Sequence, residues 1–446
     1  MPSAPRQRSQ AIALVAMGTL VVAAAFAVAC APSARKGDSA PAPELQQAEM
    51  HGRLDGVDRM ARIALAGGVT VAPVSATTRW RVDEQGGHQS LVRGGGSESW
   101  RIERKGGLLR LAGDGNDATP WRQGPFVART ASLDGLLMYN GHRYRGELWF
   151  SATDTGILVV NRLPVEDYLR GVVPTELGTR QETDRAAMEA QAIAARSYAY
   201  MRVPSAEAAA STASWDMVAT VANQVYLGAD SEHPLVNQAI NATAGLVLRY
   251  GGLLVDAPYS SSCGGRTASP KDAWRDARDE PYLQPVDDVN PATGQPYCDI
   301  SPRNHWVAEL DEAQLNDAVR RALVAQGARN PAPAAITDVQ VSARSSSGRV
   351  GELVLRTERG DVHIRANDLR AVFRDARGAI LSSTYFSVDR EARARGHLSG
   401  VSLRGAGNGH GVGMCQWGAI GRSRAGQDAR TILAHYYPGT VVGFAD

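Results

Sequence analysis

The sequence predicts an α+β fold, and three observations carry the prediction. Short apolar stretches separated by Gly, Asp and Asn recur from His51 to Gln123 and again from Ile336 to Val388, which is the pattern of short strands. One stretch, Ala186 to Tyr200, is alanine-rich and built of strong helix formers. The apolar spacing changes from strand-like to helical at Pro164. A chain of 446 residues has room for roughly two or three domains. Its formal charge is only +2 and its Lys and Arg are scattered, so it lacks the basic stripe of a nucleic-acid binder.

In chain order, Arg6 and Arg8 precede an apolar run from Ala11 to Ala29, the layout of an export signal over residues 1–29. The run ends in Ala27-Val-Ala-Cys30, small residues abutting a cysteine, which is similar to a bacterial lipoprotein signal that leaves Cys30 lipidated. The alternative is an uncleaved anchor, since about 19 apolar residues just span a bilayer. Either way the folded part lies outside the cytoplasm, in the cell envelope. Residues 30–50 lack apolar periodicity and read as a tether. A β-rich N-terminal module is expected at 51–125 and the main domain at 126–446, with a β-rich subdomain inserted at 335–400.

Within the main domain, Gly146-Glu-Leu-Trp-Phe and Gly156-Ile-Leu-Val-Val flank a turn and predict a hairpin. Val165 to Val173 reads as one or two helical turns, with Glu166 and Asp167 at the positive end of its dipole and Pro174 stopping it. Asp184 is placed to cap the alanine-rich helix, which should be central and buried; Glu189, Arg196 and Tyr200 share one of its faces. A last helix, near Ala429 to Tyr436, is capped by Asp428.

The densest chemistry is in Gly409-His-Gly-Val-Gly-Met-Cys-Gln-Trp-Gly418. Alternating glycines permit positive φ and close approach, His410 and Gln416 offer polar contacts, and Trp417 offers a flat face; the combination suits a sugar-lined cleft. The spacing fits neither phosphate-binding glycine motif. If Cys30 carries lipid, Cys263, Cys298 and Cys415 remain. A Cys263–Cys298 disulfide with Cys415 buried in the glycine motif is the simplest outcome in an oxidising compartment. The alternative is zinc on Cys263 and Cys415 with His410 or His305, although no CxxC or HExxH spacing supports a metal. No cofactor is expected.

Five ordered segments, Asn161 to Glu176, Ala190 to Tyr198, Gln224-Val-Tyr-Leu-Gly228, Ser260 to Thr267 and Gly409 to Ala419, resemble the SpoIID/LytB family over roughly Arg143 to the C-terminus. The resemblance implies a SpoIID-like domain of mixed strands around the alanine-rich helix, acting in the cell wall. SpoIID-type members are lytic transglycosylases on glycan strands stripped of stem peptides, and LytB-type members are described as amidase enhancers. It places the catalytic glutamate at Glu176, acid and then base, with Val172, Val173 and Leu177 as desolvating neighbours. The alternative for Glu176 is a cap or ion pair on a surface turn. Arg196, Tyr198, Gln224, Tyr226, Gly264, Gly265, His410 and Gln416 are the expected substrate contacts. Arg196 has the alternative of an ion pair with Glu189 or Glu182, Tyr226 that of a core residue, and His410 that of a loop hydrogen bond. Three positions depart from the family: Ser260 where many relatives have histidine, Cys415 where many have serine, and Glu189 where some have lysine. The expected partners are peptidoglycan glycan strands, a cell-wall amidase and, through the lipid, a membrane.

Overall fold

The computed structural model describes residues 59–445 apart from 88, 116, 205–213, 333, 376, 391–392 and 395–396. The expected export signal, the lipidated Cys30 and the tether lie outside the described residues. The chain's described residues divide into two compact units, one within 60–171 and 214–231, the other within 172–204 and 232–445.

The first unit is built on two antiparallel sheets. A seven-stranded sheet runs, edge to edge, through Met217–Val218, Met60–Val69, Gly156–Pro164, Glu147–Thr153, Phe126–Thr130, Trp80–Glu84 and Ser90–Gly94; only its Met217–Val218 edge strand pairs in parallel. A six-stranded sheet joins His142–Tyr144, Leu137–Tyr139, Val71–Ala76, Trp100–Lys105, Leu108–Ala112 and Arg122–Gln123. The expected hairpin forms, with Thr153 opposite Gly156. Strands on both sides of residue 125 pair with each other, Trp80–Glu84 with Phe126–Thr130, so the sheet runs through the boundary expected there. Strand alternation explains the core: Ile63, Val82, Phe126, Leu148, Phe150 and Val159 are all fully buried.

Eight helices are described: α1 (Val165–Leu177), α2 (Arg185–Tyr200), α3 (Pro234–Ala242), α4 (Pro270–Ala273), α5 (Glu312–Ala325), α6 (Asp368–Val372), α7 (Gln416–Arg424) and α8 (Ala429–Tyr436). The sequence is right about α2: Ala187, Ala190, Ala194 and Ala195 are fully buried, and the small side chains let α3, α7 and α8 approach its axis. Burial of Met188 and Ile193 on the same helix contributes about 1.5–3 kcal/mol each. Asp428 caps α8 as expected, its carboxylate accepting from the Thr431 amide at 2.7 Å.

Two local expectations fail. Pro174 does not stop α1, which runs on to Leu177. Proline removes one N–H but leaves the following turn free to continue, and the end comes at Gly178, whose φ of +71° and amide bond to the Pro174 carbonyl (2.8 Å) close the helix in a left-handed cap. Asp184 makes no side-chain cap on α2; its buried carboxylate accepts from the Gln181 amide at 3.3 Å and pairs with Arg424 of α7 at 2.7 Å.

The expected inserted subdomain begins earlier than residue 335. Strands His305–Asp311, Phe386–Arg390 and Gly400–Ala406 form one sheet, and Ile336–Arg344, Val350–Thr357 and Gly360–Arg365 another. They share a core with α5 through Leu315, Val319, Leu353, Leu355 and Val401.

Candidate active site

Glu176 occupies the last turn of α1, half-buried, with Val172, Val173 and Leu177 buried around it. The first residue of α7, Gln416, is 2% exposed, and its Nε2 donates to Glu176 Oε2 at 3.4 Å. The adjacent Trp417 is half-buried, and the Arg180 guanidinium lies 4.8 Å from its ring centroid. Arg180 in turn donates from Nε to the Leu177 carbonyl at 2.7 Å, which satisfies an end-of-helix acceptor of α1. Burial lowers the pKa of Arg180, with Arg424 adding to the effect and Asp184 opposing it. An acid, an amide, a cation and an indole are thus gathered at the junction of α1 and α7.

Backbone geometry places Gln416 there. Tyr259-Ser260 and Met414-Cys415 pair as two short parallel strands, and the Trp417 amide bonds the Ser261 carbonyl at 2.9 Å. The glycines do what their spacing suggests: Gly409, Gly411 and Gly413 have φ of +130°, +91° and +77°. At Gly413 a Cβ would collide with the Pro258 carbonyl, so only glycine permits this approach. The Ser260 and Ser262 hydroxyl oxygens are buried in the same loop with no hydrogen-bond partner among the described residues.

His410 packs against Trp274 with ring centroids 4.6 Å apart and planes tilted by 44°, and its Nδ1 accepts from the Val412 amide at 3.3 Å, so a neutral ring carries its proton on Nε2. Burial first, then Arg370 and Arg349, push its pKa down to about 3. The loop hydrogen bond weighed from sequence therefore exists, on a histidine that stays neutral at ordinary pH.

Several expected substrate contacts have partners within the protein. Arg196 is fully buried and donates to the Leu246 carbonyl at 3.0 Å and the Ile240 carbonyl at 3.4 Å; it ties α2 to its neighbours, and Glu189 pairs with Arg185 instead. Gln224 and Tyr226 are 1% and 3% exposed. Tyr226 donates its hydroxyl to Asn161 Oδ1 at 2.7 Å, Tyr168 donates to Gln224 Oε1 at 3.0 Å, and the two tyrosine rings are 5.1 Å apart. The buried amide and the buried phenol are thus each bonded to a protein group, as buried polar atoms require. Tyr198 is half-buried, with the Arg202 guanidinium over its ring at 3.3 Å. Gly264 and Gly265 have φ of +76° and +95° and pack against Ala406 and Pro296, a turn-forming role. The expected Cys263–Cys298 disulfide is corrected: both are buried free thiols, sulfurs 3.4 Å apart. His305 pairs with Asp299 at 2.9 Å, so neither histidine of the zinc alternative joins the cysteines. Sequence reasoning missed Arg180 and Trp274. A basic residue just past a helix-ending glycine was the available signal for the first; none existed for the second.

A family model described as Stage II sporulation protein matches residues 153–250, which include Glu176 and α2, and a model for a domain of unknown function, DUF8618, matches 299–413. An uncharacterized protein of Brachyspira hyodysenteriae is 30% identical over 306 residues, 69% of this chain and 73% of that protein. The amidase enhancer of Bacillus subtilis is 29% identical over 61% of this chain but only 40% of its own length. The stage II sporulation protein D of Bacillus amyloliquefaciens is 25% identical over 64% of this chain and 76% of its own. The chain belongs to the SpoIID/LytB family, and that membership supports a cell-wall-related role.

Proposed function

We propose that this chain is a peptidoglycan lytic transglycosylase, exported and tethered to the cell envelope by lipid on Cys30. The observation that carries the reading is the meeting of Glu176 with Gln416 of the glycine motif. Breaking a β-1,4 glycosidic bond needs one acid at the leaving oxygen. Protonated Glu176 gives its proton to that oxygen as the C1–O bond breaks. The carboxylate then takes the proton of the sugar's own C6 hydroxyl while that oxygen bonds C1, giving a 1,6-anhydro end without water. Gln416 orients the carboxyl, Trp417 and Arg180 border the sugar and its acidic or acetamido groups, and neutral His410 offers a fixed donor at Nε2.

Mass spectrometry of products from glycan strands freed of stem peptides tests the proposal. Wild type is expected to release 1,6-anhydro ends that Glu176→Gln does not. Reducing-end sugars would mean hydrolysis, and intact strands with both proteins would sink the enzyme reading. Similarity to an amidase enhancer favours a second reading, a glycan-binding protein that stimulates a wall amidase; an increase in amidase turnover with both wild type and Glu176→Gln would establish it.

A further inference from the structure

We propose that a groove on the subdomain of residues 299–413 is a second glycan subsite, which holds a wall glycan strand by one sugar face and by the free carboxylate of a neighbouring lactyl group. The inference rests on the wall-glycan reading above and adds to it a site that does not include Glu176. The groove, of 640 Å³, opens on the sheet of His305–Asp311, Phe386–Arg390 and Gly400–Ala406, and Trp306, Tyr385, Phe386, Arg344 and Arg404 are among its lining. That volume falls in the range of small-ligand clefts, about 300–1,000 Å³.

Gly405 shapes the floor. It stands opposite Trp306 on one neighbouring strand and Phe386 on the other, and a Cβ there would meet the indole at 2.2 Å, so the ring lies directly over the glycine. Its Nε1 donates to the Gly407 carbonyl at 3.0 Å, which fixes its orientation. A half-buried indole held in this way offers a flat apolar surface to the C–H face of a pyranose. Covering a glycine backbone would by itself account for the indole, but not for the polar groups around it. Arg344 is exposed, and it donates from Nη1 to the Gly348 carbonyl at 2.8 Å and from Nη2 to the Phe386 carbonyl at 2.9 Å. Those bonds hold the guanidinium in place without neutralising it. Arg404 and His305 are answered by Asp389 at 3.0 Å and Asp299 at 2.9 Å, so among the described residues Arg344 is the groove cation without a counter-charge. A fixed guanidinium matches a carboxylate in a way that a neutral sugar cannot. A muramic acid residue freed of its stem peptide presents that carboxylate beside a pyranose ring, and the Tyr385 phenol can bond its hydroxyl or acetamido groups. Ala406 is followed directly by Gly407-Asn-Gly409, so the groove lies on the sheet that leads into the glycine motif bearing Gln416.

The test is the equilibrium Kd of the full chain carrying Glu176→Gln, which removes turnover, for immobilised glycan strands freed of stem peptides. Adding Arg344→Glu or Ser387→Glu should weaken binding at least tenfold, with folding followed by circular dichroism. Ser387 is exposed and makes only a 3.4 Å bond to the Arg404 carbonyl, so it reads the groove even if loss of Arg344 unfolds the chain. Strands whose lactyl carboxylates have been converted to amides should bind the unaltered groove at least tenfold more weakly. Unchanged affinity in the folded variants, or equal affinity for free and amidated strands, would overturn the proposal. Unchanged strand affinity with lost binding to a wall amidase would make the occupant a protein and overturn it as well. Release of anhydro ends is measured separately with Glu176 intact. Cleavage with unchanged affinity in the variants removes the groove and keeps the enzyme; weakened affinity without any cleavage keeps the groove and removes the enzyme.

Discussion

Two of the motifs that mark this family put polar side chains to opposite uses. In Gln224 to Gly228 the glutamine and tyrosine are spent inside the first unit, bonded to Tyr168 and Asn161. In the glycine motif, Gln416 is just as buried yet reaches the carboxyl of Glu176. Burial does not separate the two; the identity of the partner does. A polar motif residue bonded to fixed core groups maintains the scaffold, whereas one bonded to a half-buried acid bears on chemistry under the function proposed above. Arg196 belongs to the first kind, while Arg180 bonds the Leu177 carbonyl and rests on Trp417, next to Gln416 in the chain.

The contrast can be broken most forcefully at Glu176. Removing a general acid costs about 10²- to 10⁴-fold in rate, so Glu176→Gln should lose that much glycan cleavage while its urea-unfolding free energy stays within about 0.5 kcal/mol of wild type. Arg196→Met tests the scaffold side: it leaves the Leu246 and Ile240 carbonyls without their guanidinium donor and should cost about 3 kcal/mol of stability. Unchanged stability would return Arg196 to the list of substrate contacts.

Protonation sharpens the comparison further. His410 and His435 are both held near a pKa of about 3, burial being the first cause and Arg422 the second for His435. Their folded values lie below the unfolded value of about 6.5, so the unfolded chain takes up protons first as pH falls. Stability from this source is complete above about pH 6.5 and drains away toward about pH 3, by roughly 1.4 kcal/mol per unit for each histidine. Urea titrations from pH 7 to 4 should show a shallower loss in His410→Gln than in wild type; parallel profiles would mean that the histidine is not held neutral. Smaller effects come next. Gln416→Leu should lower cleavage about tenfold, the value of one oriented hydrogen bond of about 1.4 kcal/mol. Tyr226→Phe should cost about 1 kcal/mol of stability with cleavage per folded molecule unchanged.

Much of the fold was legible because it follows from local rules. The hairpin at Thr153-Asp-Thr-Gly156, the alanine-rich α2 and the Asp428 cap were each written in a few adjacent residues. Helix α5 was also legible but unread: Asp311 and Gln314 form a capping box, and Leu315, Ala318, Val319 and Ala322 fall on one buried face. Other features rest on contacts far apart in sequence. Asp184 is a reasonable N-cap until Arg424, 240 residues away, takes its carboxylate. Arg196 looks available for an anion until the carbonyls of α3 and the following strand close over it. Glu176 and Gln416 are likewise 240 residues apart; each motif could be read, but their meeting could not.

The most direct test of the account is to measure anhydro-end formation and urea unfolding together for Glu176→Gln and Tyr226→Phe. The account predicts that the first loses cleavage and keeps its stability, while the second loses stability and keeps cleavage per folded molecule. Full cleavage by Glu176→Gln, or cleavage lost in a fully stable Tyr226→Phe, would contradict it.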